Sequence, residues 1–246
     1  MESKSMIDIT YPISEGGSRY PTDPVPEITV VPARIEEGRL KSGYTELHIR
    51  NHHGTHIDAP AHKIPGGKTI DQYWLEKFIN RAMILDLTLH VGLGESYVRR
   101  ITRELLERAF TPEHLQRMKQ EHVSALLFRT GYEAKIECGV TDDYNFPYFE
   151  KETAEFLVGQ CEGAGVKLNL VGLDSLSVDP KGTPDSPAHR AFLSRDILIL
   201  ETLVNLEEVA RAFGDESFEL ICTPILYKGA DGAQVRALAR TQQGGE

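Results

Sequence analysis

Five of the nine histidines in this 246-residue chain fall within fifteen positions, from His48 to His62. Inside that stretch, His52, His56, Asp58 and His62 follow the spacing H-x3-H-x-D-x3-H. Imidazole nitrogens and carboxylate oxygens suit both Zn²⁺ and Mn²⁺, and one carboxylate can bridge two metal ions. The residue types and their spacing therefore predict a site for a divalent metal.

The backbone that carries these residues is predicted to be extended rather than helical. Gly54 disfavours a helix, and Pro60 disfavours the α conformation at the residue before it. In an extended chain, residues two apart point to the same side, so His56 and Asp58 would face the same way. Gly54 permits the bend that would bring His52 back to them.

Charge and composition argue against several other classes of protein. The 27 Lys and Arg residues against 37 Asp and Glu residues give a net charge of −10. We therefore expect neither a nucleic-acid nor a membrane partner, because both attract basic surfaces. No apolar run approaches the ~20 residues of a membrane span, and no signal-peptide core is recognisable, which favours a cytoplasmic protein. The three cysteines, Cys138, Cys161 and Cys222, form no Cys-x-x-Cys pair, which indicates reduced thiols.

Apolar runs bounded by Gly, Pro or Asp predict strands, and amphipathic patterns with capping residues predict helices. The predicted strands are Glu27–Pro32, Thr45–Arg50, Ala82–Leu87, Val123–Arg129, Val166–Leu173, Ile197–Leu203 and Phe218–Leu226. The predicted helices are Asp71–Phe78, Val98–Ala109, Pro112–Gln120, Lys151–Glu162 and Leu206–Phe213. Because strands and helices alternate late in the chain, we expect an α/β fold: one domain over residues 1–246, with a mixed β-sheet and flanking helices.

The histidine segment resembles a known family signature. Residues His52–His62 are similar to H-x-G-T-H-x-D-A-P-x-H of the cyclase family, which contains the bacterial kynurenine formamidases, the isatin hydrolases and many uncharacterised metal-dependent hydrolases. Similar stretches extend over nearly the whole chain. They are Tyr20–Asp23, Gly66–Asp71, Phe128–Gly131, Gly172–Pro180, the pair His189–Arg190 with Glu201, and Gly229–Ala237.

The resemblance implies five metal ligands. His52, His56 and Asp58 would hold one divalent metal, and Asp58 would bridge it to a second metal held by His189 and Glu201. The cofactor would be Zn²⁺ or Mn²⁺, with two ions per subunit. Sites built from His, Asp and Glu accept either metal, so the residues leave its identity open.

The resemblance also implies how a small-molecule substrate is handled. His62 would be the general acid/base, and the aromatic ring of Tyr20 would stack against the substrate. The implied fold is the family's swivelling β/β/α arrangement. Family members are usually homo-oligomers, so a dimer or a tetramer is expected.

These residues suit hydrolysis of an amide C–N bond in an N-formyl aryl amine or a cyclic amide. A metal-bound hydroxide would attack the carbonyl, and His62 would protonate the departing nitrogen. We therefore expect a metal-dependent, arylformamidase-like amidohydrolase. Two alternatives stay open: a metal-dependent cyclase or lyase, and a non-catalytic metal-binding protein of the same fold.

Three departures from the compact formamidases favour a sister activity over kynurenine formamidase itself. Tyr20 stands where those proteins carry Trp, and Lys63 stands where they carry Phe. Lys63 would place a cation near the pocket mouth and could favour an acidic substrate. The charged segment 99–120 makes this chain longer, and it could cover the active site or form an oligomer interface.

Overall fold

A nine-stranded mixed β-sheet forms the centre of the computed structural model, which describes residues 6–90, 96–137 and 145–241. In spatial order its strands are β1 (Met6–Asp8), β15 (Leu238–Arg240), β13 (Phe218–Ile221), β7 (Ile79–Asp86), β9 (Ala125–Arg129), β11 (Leu170–Leu173), β12 (Leu198–Glu201), β6 (His56–Asp58) and β14 (Gly232–Gln234). The strands β7, β9, β11 and β12 run parallel, and the pairs on either side of them are antiparallel.

The parallel strands are buried on both faces. In β9, Leu126 and Phe128 belong to the hydrophobic core on one face of the sheet, whereas Ala125 and Leu127 belong to the core on the other. Successive side chains of a strand point to opposite faces, so a strand covered on both faces reads as an uninterrupted apolar run. This explains why the sequence reveals these strands clearly.

Six α-helices lie in the described part of the chain. They are α1 (Arg103–Ala109), α2 (Pro112–Gln120), α3 (Glu133–Glu137), α4 (Lys151–Ala164), α5 (Pro187–Leu193) and α6 (Leu206–Phe213). Buried side chains of α4 and α5, such as Leu157 and Phe192, join one core, and those of α6, such as Val209, join the other. The predicted α/β fold, a mixed sheet with flanking helices, is confirmed. None of the described helices is long and apolar enough to cross a membrane.

Capping residues explain the helices that were predicted accurately. Thr111 caps α2 and Pro112 occupies its first turn, while Gly165, at φ = 71°, ends α4 in the left-handed conformation. The helix predicted from Val98 begins only at Arg103, because Arg100–Ile101 (β8) pairs with Tyr148–Phe149 (β10).

The helix predicted over Asp71–Phe78 is wrong. The chain forms two short 3₁₀ turns there, Ile70–Gln72 and Leu75–Phe78. Trp74 lies between them and is 85% exposed, so this aromatic residue contributes no buried helix face. Without such a face a short helix gains little from tertiary packing.

An interrupted β-hairpin, made of two successive strand pairs, lies outside the main sheet at residues 27–48. Its strands are β2 (Glu27–Val31), β3 (Arg34–Glu36), β4 (Arg39–Lys41) and β5 (Tyr44–His48), which pair as β2 with β5 and β3 with β4. Every residue from 32 to 48 is exposed. The predicted strands in this stretch are confirmed, but they lie outside the main sheet.

Two of the three cysteines lie in the described residues. Cys161 and Cys222 are buried free thiols, and burial raises the pKa of each to about 12. A thiol with so high a pKa is a poor nucleophile. Cys138 lies outside the described residues.

Candidate active site

Strand β6 brings the central residues of the site together. His56 and Asp58 are two residues apart on this strand and both are buried. Strand β12 runs antiparallel to β6 and places Glu201 directly opposite His56. His56 Nε2 lies 3.4 Å from Asp58 Oδ1 and 3.5 Å from Glu201 Oε2. The expected extended conformation of this segment is confirmed.

A glycine-dependent bend returns His52 to the same cluster. Gly54 has φ = +69°, and a Cβ atom there would lie 2.7 Å from Ile13 Cγ1. After this bend, His52 Nδ1 lies 2.8 Å from Asp58 Oδ1. A second glycine, Gly232, makes room for the ring, because a Cβ atom there would lie 2.9 Å from His52 Cε1.

His189 reaches the cluster from helix α5, and Asp179 holds it there. The Asp179 carboxylate accepts hydrogen bonds from the backbone nitrogens of Ala188 (2.8 Å) and His189 (3.0 Å). It also lies 2.6 Å from His189 Nδ1, which leaves Nε2 directed at Asp58 Oδ2, 3.3 Å away. A carboxylate behind a histidine in this way is the usual orienting partner of a metal-binding imidazole.

The Asp58 carboxylate is buried without hydrogen bonds. The residue has no exposed surface, and neither oxygen accepts a hydrogen bond, although three imidazole nitrogens lie within 2.8–3.4 Å. Burial alone would raise its pKa, but the nearby His62 and His52 hold that pKa well below the usual range. A buried carboxylate in this position needs a positive charge beside it.

The carboxylates of the cluster raise the pKa values of the neighbouring histidines. Burial lowers the pKa of His56, but the Asp58 and Glu201 carboxylates raise it to about 10. Burial likewise lowers the pKa of His189, while Asp179, Asp58 and Glu201 raise it to about 9. The cluster therefore favours positive charge, which either protons or a divalent cation could supply.

The side chains present fit a divalent cation. Three groups of described residues have ligand atoms within 4.8 Å of one another: His52, His56 and Asp58; Asp58, His62 and His189; and His52, His62 and Asp231. Glu201 lies at the edge of this cluster, and its Oε1 atom is 3.6 Å from His189 Nε2. The same oxygen accepts a hydrogen bond from the backbone nitrogen of Val178 at 2.8 Å. All five predicted ligands thus meet in one place, and their ligand role stays a prediction.

A pocket of about 270 Å³ opens beside this cluster. Tyr20, His62 and Lys63 line it together with three histidines of the cluster, His52, His56 and His189. The ring of Tyr20 lies 5.8 Å from that of Phe146. The Arg50 guanidinium also faces the pocket and pairs with a neighbouring carboxylate, Asp23, at 2.8 Å. The predicted general acid/base and stacking residue are therefore placed where a small molecule could meet both.

The charged segment 99–120 does not reach this pocket. All of its residues are described, and none lines the pocket. Helices α1 and α2 instead bury Leu105, Leu106 and Met118 in the core beneath them. The segment was expected either to cover the active site or to form an oligomer interface, and its position does not support the first role.

Sequence reasoning missed two aspartates. Asp179 lies in the stretch Gly172–Pro180, where it caps α5 and also holds His189. Asp231 received no role, although it contacts both His52 (3.1 Å) and His62 (2.7 Å), contacts that hold its pKa far below the usual range. The sequence signal that could have identified Asp231 is its position in the family-like stretch Gly229–Ala237.

Comparison with known proteins gives consistent results. The Cyclase family model, described as "Putative cyclase", matches residues 7–180. The kynurenine formamidase of Salinibacter ruber (strain DSM 13855 / M31) is 30% identical over 236 residues, covering 96% of this chain and 97% of that protein. The kynurenine formamidase of Bacillus cereus (strain ATCC 14579) is 29% identical over 240 residues, covering 98% of this chain and 99% of that protein.

Solved structures share the fold at lower identity. A structure described as a potential metal-dependent hydrolase with cyclase activity has a TM-score of 0.71 and 23% identity, covering 97% of this chain and 98% of the other. Isatin hydrolase A from Labrenzia aggregata, bound to benzyl benzoate, has a TM-score of 0.74 and 18% identity, covering 97% and 94%. At these identities the similarity concerns the fold.

Proposed function

The chain belongs to the cyclase family, and we propose that it is a metal-dependent amidohydrolase that cleaves a C–N bond other than a peptide bond. One observation carries the proposal: the buried Asp58 carboxylate accepts no hydrogen bond and faces three imidazole nitrogens beside a pocket. Groups that favour positive charge this strongly, next to a cavity, are typical of catalytic metal sites.

Two overlapping sets of residues would hold the metal. His52, His56 and Asp58 would bind one divalent cation, and Asp58, His189 and Glu201 would bind a second, with Zn²⁺ or Mn²⁺ as the candidates. Cations bound there would lower the pKa of water and polarise the carbonyl oxygen of the substrate.

His62 would move the proton. Its side chain is 21% exposed at the pocket wall, and Asp231 Oδ2 lies 2.7 Å from its Nδ1. The other ring nitrogen is then available to accept a proton from the attacking water and return it to the departing nitrogen. Such transfers through a well-placed histidine contribute about 10²–10⁴-fold to a rate.

The pocket suits an aromatic formamide or a cyclic amide. The ring of Tyr20 lines the pocket and packs against the buried ring of Phe146, so an aryl group could stack on Tyr20. The kynurenine formamidases among the relatives support an N-formyl aryl amine, and the isatin hydrolases of similar fold support a cyclic amide. Lys63 adds positive charge at the pocket, which favours a substrate with an acidic group, whereas the charge of Arg50 is paired with Asp23.

We also propose that the protein is a homo-oligomer in the cytoplasm. The hairpin at residues 27–48 supports a second copy as partner, because Val30, Ile35, Leu40, Tyr44 and Leu47 are each more than half exposed on it. Sedimentation equilibrium tests this: a dimer or tetramer is expected, and a monomer at micromolar concentration would contradict it.

The decisive test joins metal analysis of the purified protein to a hydrolysis panel of N-formyl aryl amines, isatin-like lactams and simple esters. Stoichiometric transition metal and turnover of an amide, lost on chelation and restored by Zn²⁺ or Mn²⁺, are expected. Reaction in ¹⁸O-labelled water should place the label in the new carboxylate, whereas a cyclase or lyase would not. A protein without stoichiometric metal would refute the proposal.

A further inference from the structure

The carboxylate of Asp231 lies between two histidines of the candidate active site. Its Oδ2 atom is 2.7 Å from His62 Nδ1 and 3.1 Å from His52 Nε2. Asp231 directly precedes β14, which pairs with β6, and this pairing places Gly232 opposite Asp58 and Asp231 next to Ala59.

Hydrogen bonds hold this carboxylate in place. The backbone nitrogen of Ala59 donates to the Asp231 carbonyl oxygen at 2.9 Å, and Asn51 Nδ2 donates to Oδ1 at 2.7 Å. Asn51 also donates to the carbonyl of Gly232 at 3.0 Å, so the same amide secures the strand that follows. One carboxylate oxygen is therefore occupied, and the other is left to the imidazoles.

This contact determines where His62 carries its hydrogen. A carboxylate only accepts, so the 2.7 Å contact places the hydrogen on Nδ1 and leaves the Nε2 lone pair free. A ring nitrogen of His62 also lies within 4.8 Å of ligand atoms of Asp58 and His189. The ring thus contacts Asp231 and also lies against the predicted metal ligands.

We propose that Asp231 is a positioning residue that fixes the ring orientation and tautomer of His62, so that Nε2 faces the reacting atoms. Its importance for catalysis rests on the proposed function, but the tautomer of His62 is a property of the protein itself. A carboxylate behind a catalytic histidine has this effect in unrelated hydrolases, because it selects one tautomer and stabilises the protonated ring.

A direct metal-binding role for Asp231 is the competing interpretation, since His52, His62 and Asp231 have ligand atoms within 4.8 Å of one another. The contact between His62 Nδ1 and Asp231 Oδ2, at 2.7 Å, is an aligned hydrogen bond. The similarly short contact between His52 Nδ1 and Asp58 Oδ1, at 2.8 Å, is not aligned as a hydrogen bond. The geometry therefore favours a hydrogen bond for Asp231.

The test compares Asp231→Asn with a matched control, Asp71→Asn. Asp71 accepts a hydrogen bond from Gly229 N at 3.0 Å, in the loop that leads to Asp231, but it touches no site histidine. Each protein is assayed for kcat, KM and metal content. ¹⁵N NMR of histidine-labelled protein, with the His62 signals assigned by a His62→Gln variant, reports which ring nitrogen carries the hydrogen.

Because Asp231 also contacts His52, the assay is run at a metal concentration that saturates the protein, and there Asp231→Asn should lower kcat about 10–100-fold with KM unchanged. The His62 signals should show loss of the Nδ1–H tautomer, Asp231→Glu should restore part of kcat, and Asp71→Asn should change neither kcat nor tautomer. Unchanged His62 signals, metal loss in step with kcat, or an equal effect of Asp71→Asn would each overturn the proposal. If the wild type hydrolyses no amide, the proposed function fails, while the NMR comparison still decides the positioning role.

Discussion

Asp58 and Asp174 are two aspartates with no exposed surface, each at the end of a strand, in surroundings that differ completely. The backbone nitrogens of residues 130–133 and the Thr130 hydroxyl donate to Asp174 at 2.8–3.3 Å. Asp58 accepts no hydrogen bond and faces imidazole nitrogens instead. One buried carboxylate is satisfied by the fold, and the other is arranged to meet a cation.

The comparison separates residues that maintain the fold from residues of the site. Both aspartates belong to stretches that resemble the same family, so the resemblance alone does not tell them apart. Asp174 joins the stretch Gly172–Pro180 to the stretch Phe128–Gly131, whose backbone donates to it. The two stretches are therefore joined through a carboxylate that maintains the fold.

Substitution Asp58→Asn gives the largest expected effect. The asparagine side chain lacks the charge that a cation requires, so amide hydrolysis should fall by more than the ~10²–10⁴-fold that proton transfer through a histidine contributes. Metal content per subunit, measured by mass spectrometry, should fall with it. A variant that keeps full metal content would show that Asp58 is not a ligand. The distinction drawn between Asp58 and Asp174 would then be wrong.

Substitution His62→Ala tests a neighbour of Asp58 that is not predicted to be a ligand. Turnover should fall by about 10²–10⁴-fold, because proton transfer to the departing nitrogen is lost. Metal content should remain that of the wild type, in contrast to Asp58→Asn. Turnover equal to the wild type would remove His62 from the mechanism.

Substitution Asp179→Asn should have a smaller effect. It weakens the contact that orients His189 without removing any predicted ligand, so metal affinity should fall about 10–100-fold. Competition with a chromophoric chelator measures that affinity. Since Asp179 also caps α5, circular dichroism should accompany the measurement, and unchanged affinity in a folded variant would contradict the orienting role.

Substitution Asp174→Asn should leave activity per folded molecule unchanged and alter stability alone. An amide cannot accept from all the donors that surround the carboxylate, and each unsatisfied buried group costs about 1–3 kcal/mol. Urea denaturation should show that loss in the free energy of unfolding. Loss of metal content in this variant would mean that the two aspartates are not as distinct as the structure indicates.

Local sequence patterns predicted the elements whose causes are local. The parallel strands are covered on both faces and read as apolar runs, and α2 begins at a Thr-Pro pair that caps it. The helix expected at Asp71–Phe78 failed for a tertiary reason, since Trp74 finds no face to pack against. Helix α5, which carries His189, was not predicted, because seven residues give too short a pattern to recognise.

The sequence by itself determined the inner half of the site. His52, His56, Asp58 and His62 lie within eleven positions, and a bend at Gly54 with an extended strand is enough to group them. Only the tertiary structure decided what completes it. Glu201 faces His56 through the register of β12 on β6, and Asp231 reaches His62 because β14 pairs on the other side of β6. The physical reason is that strand register depends on burial across the whole sheet, which local spacing does not encode.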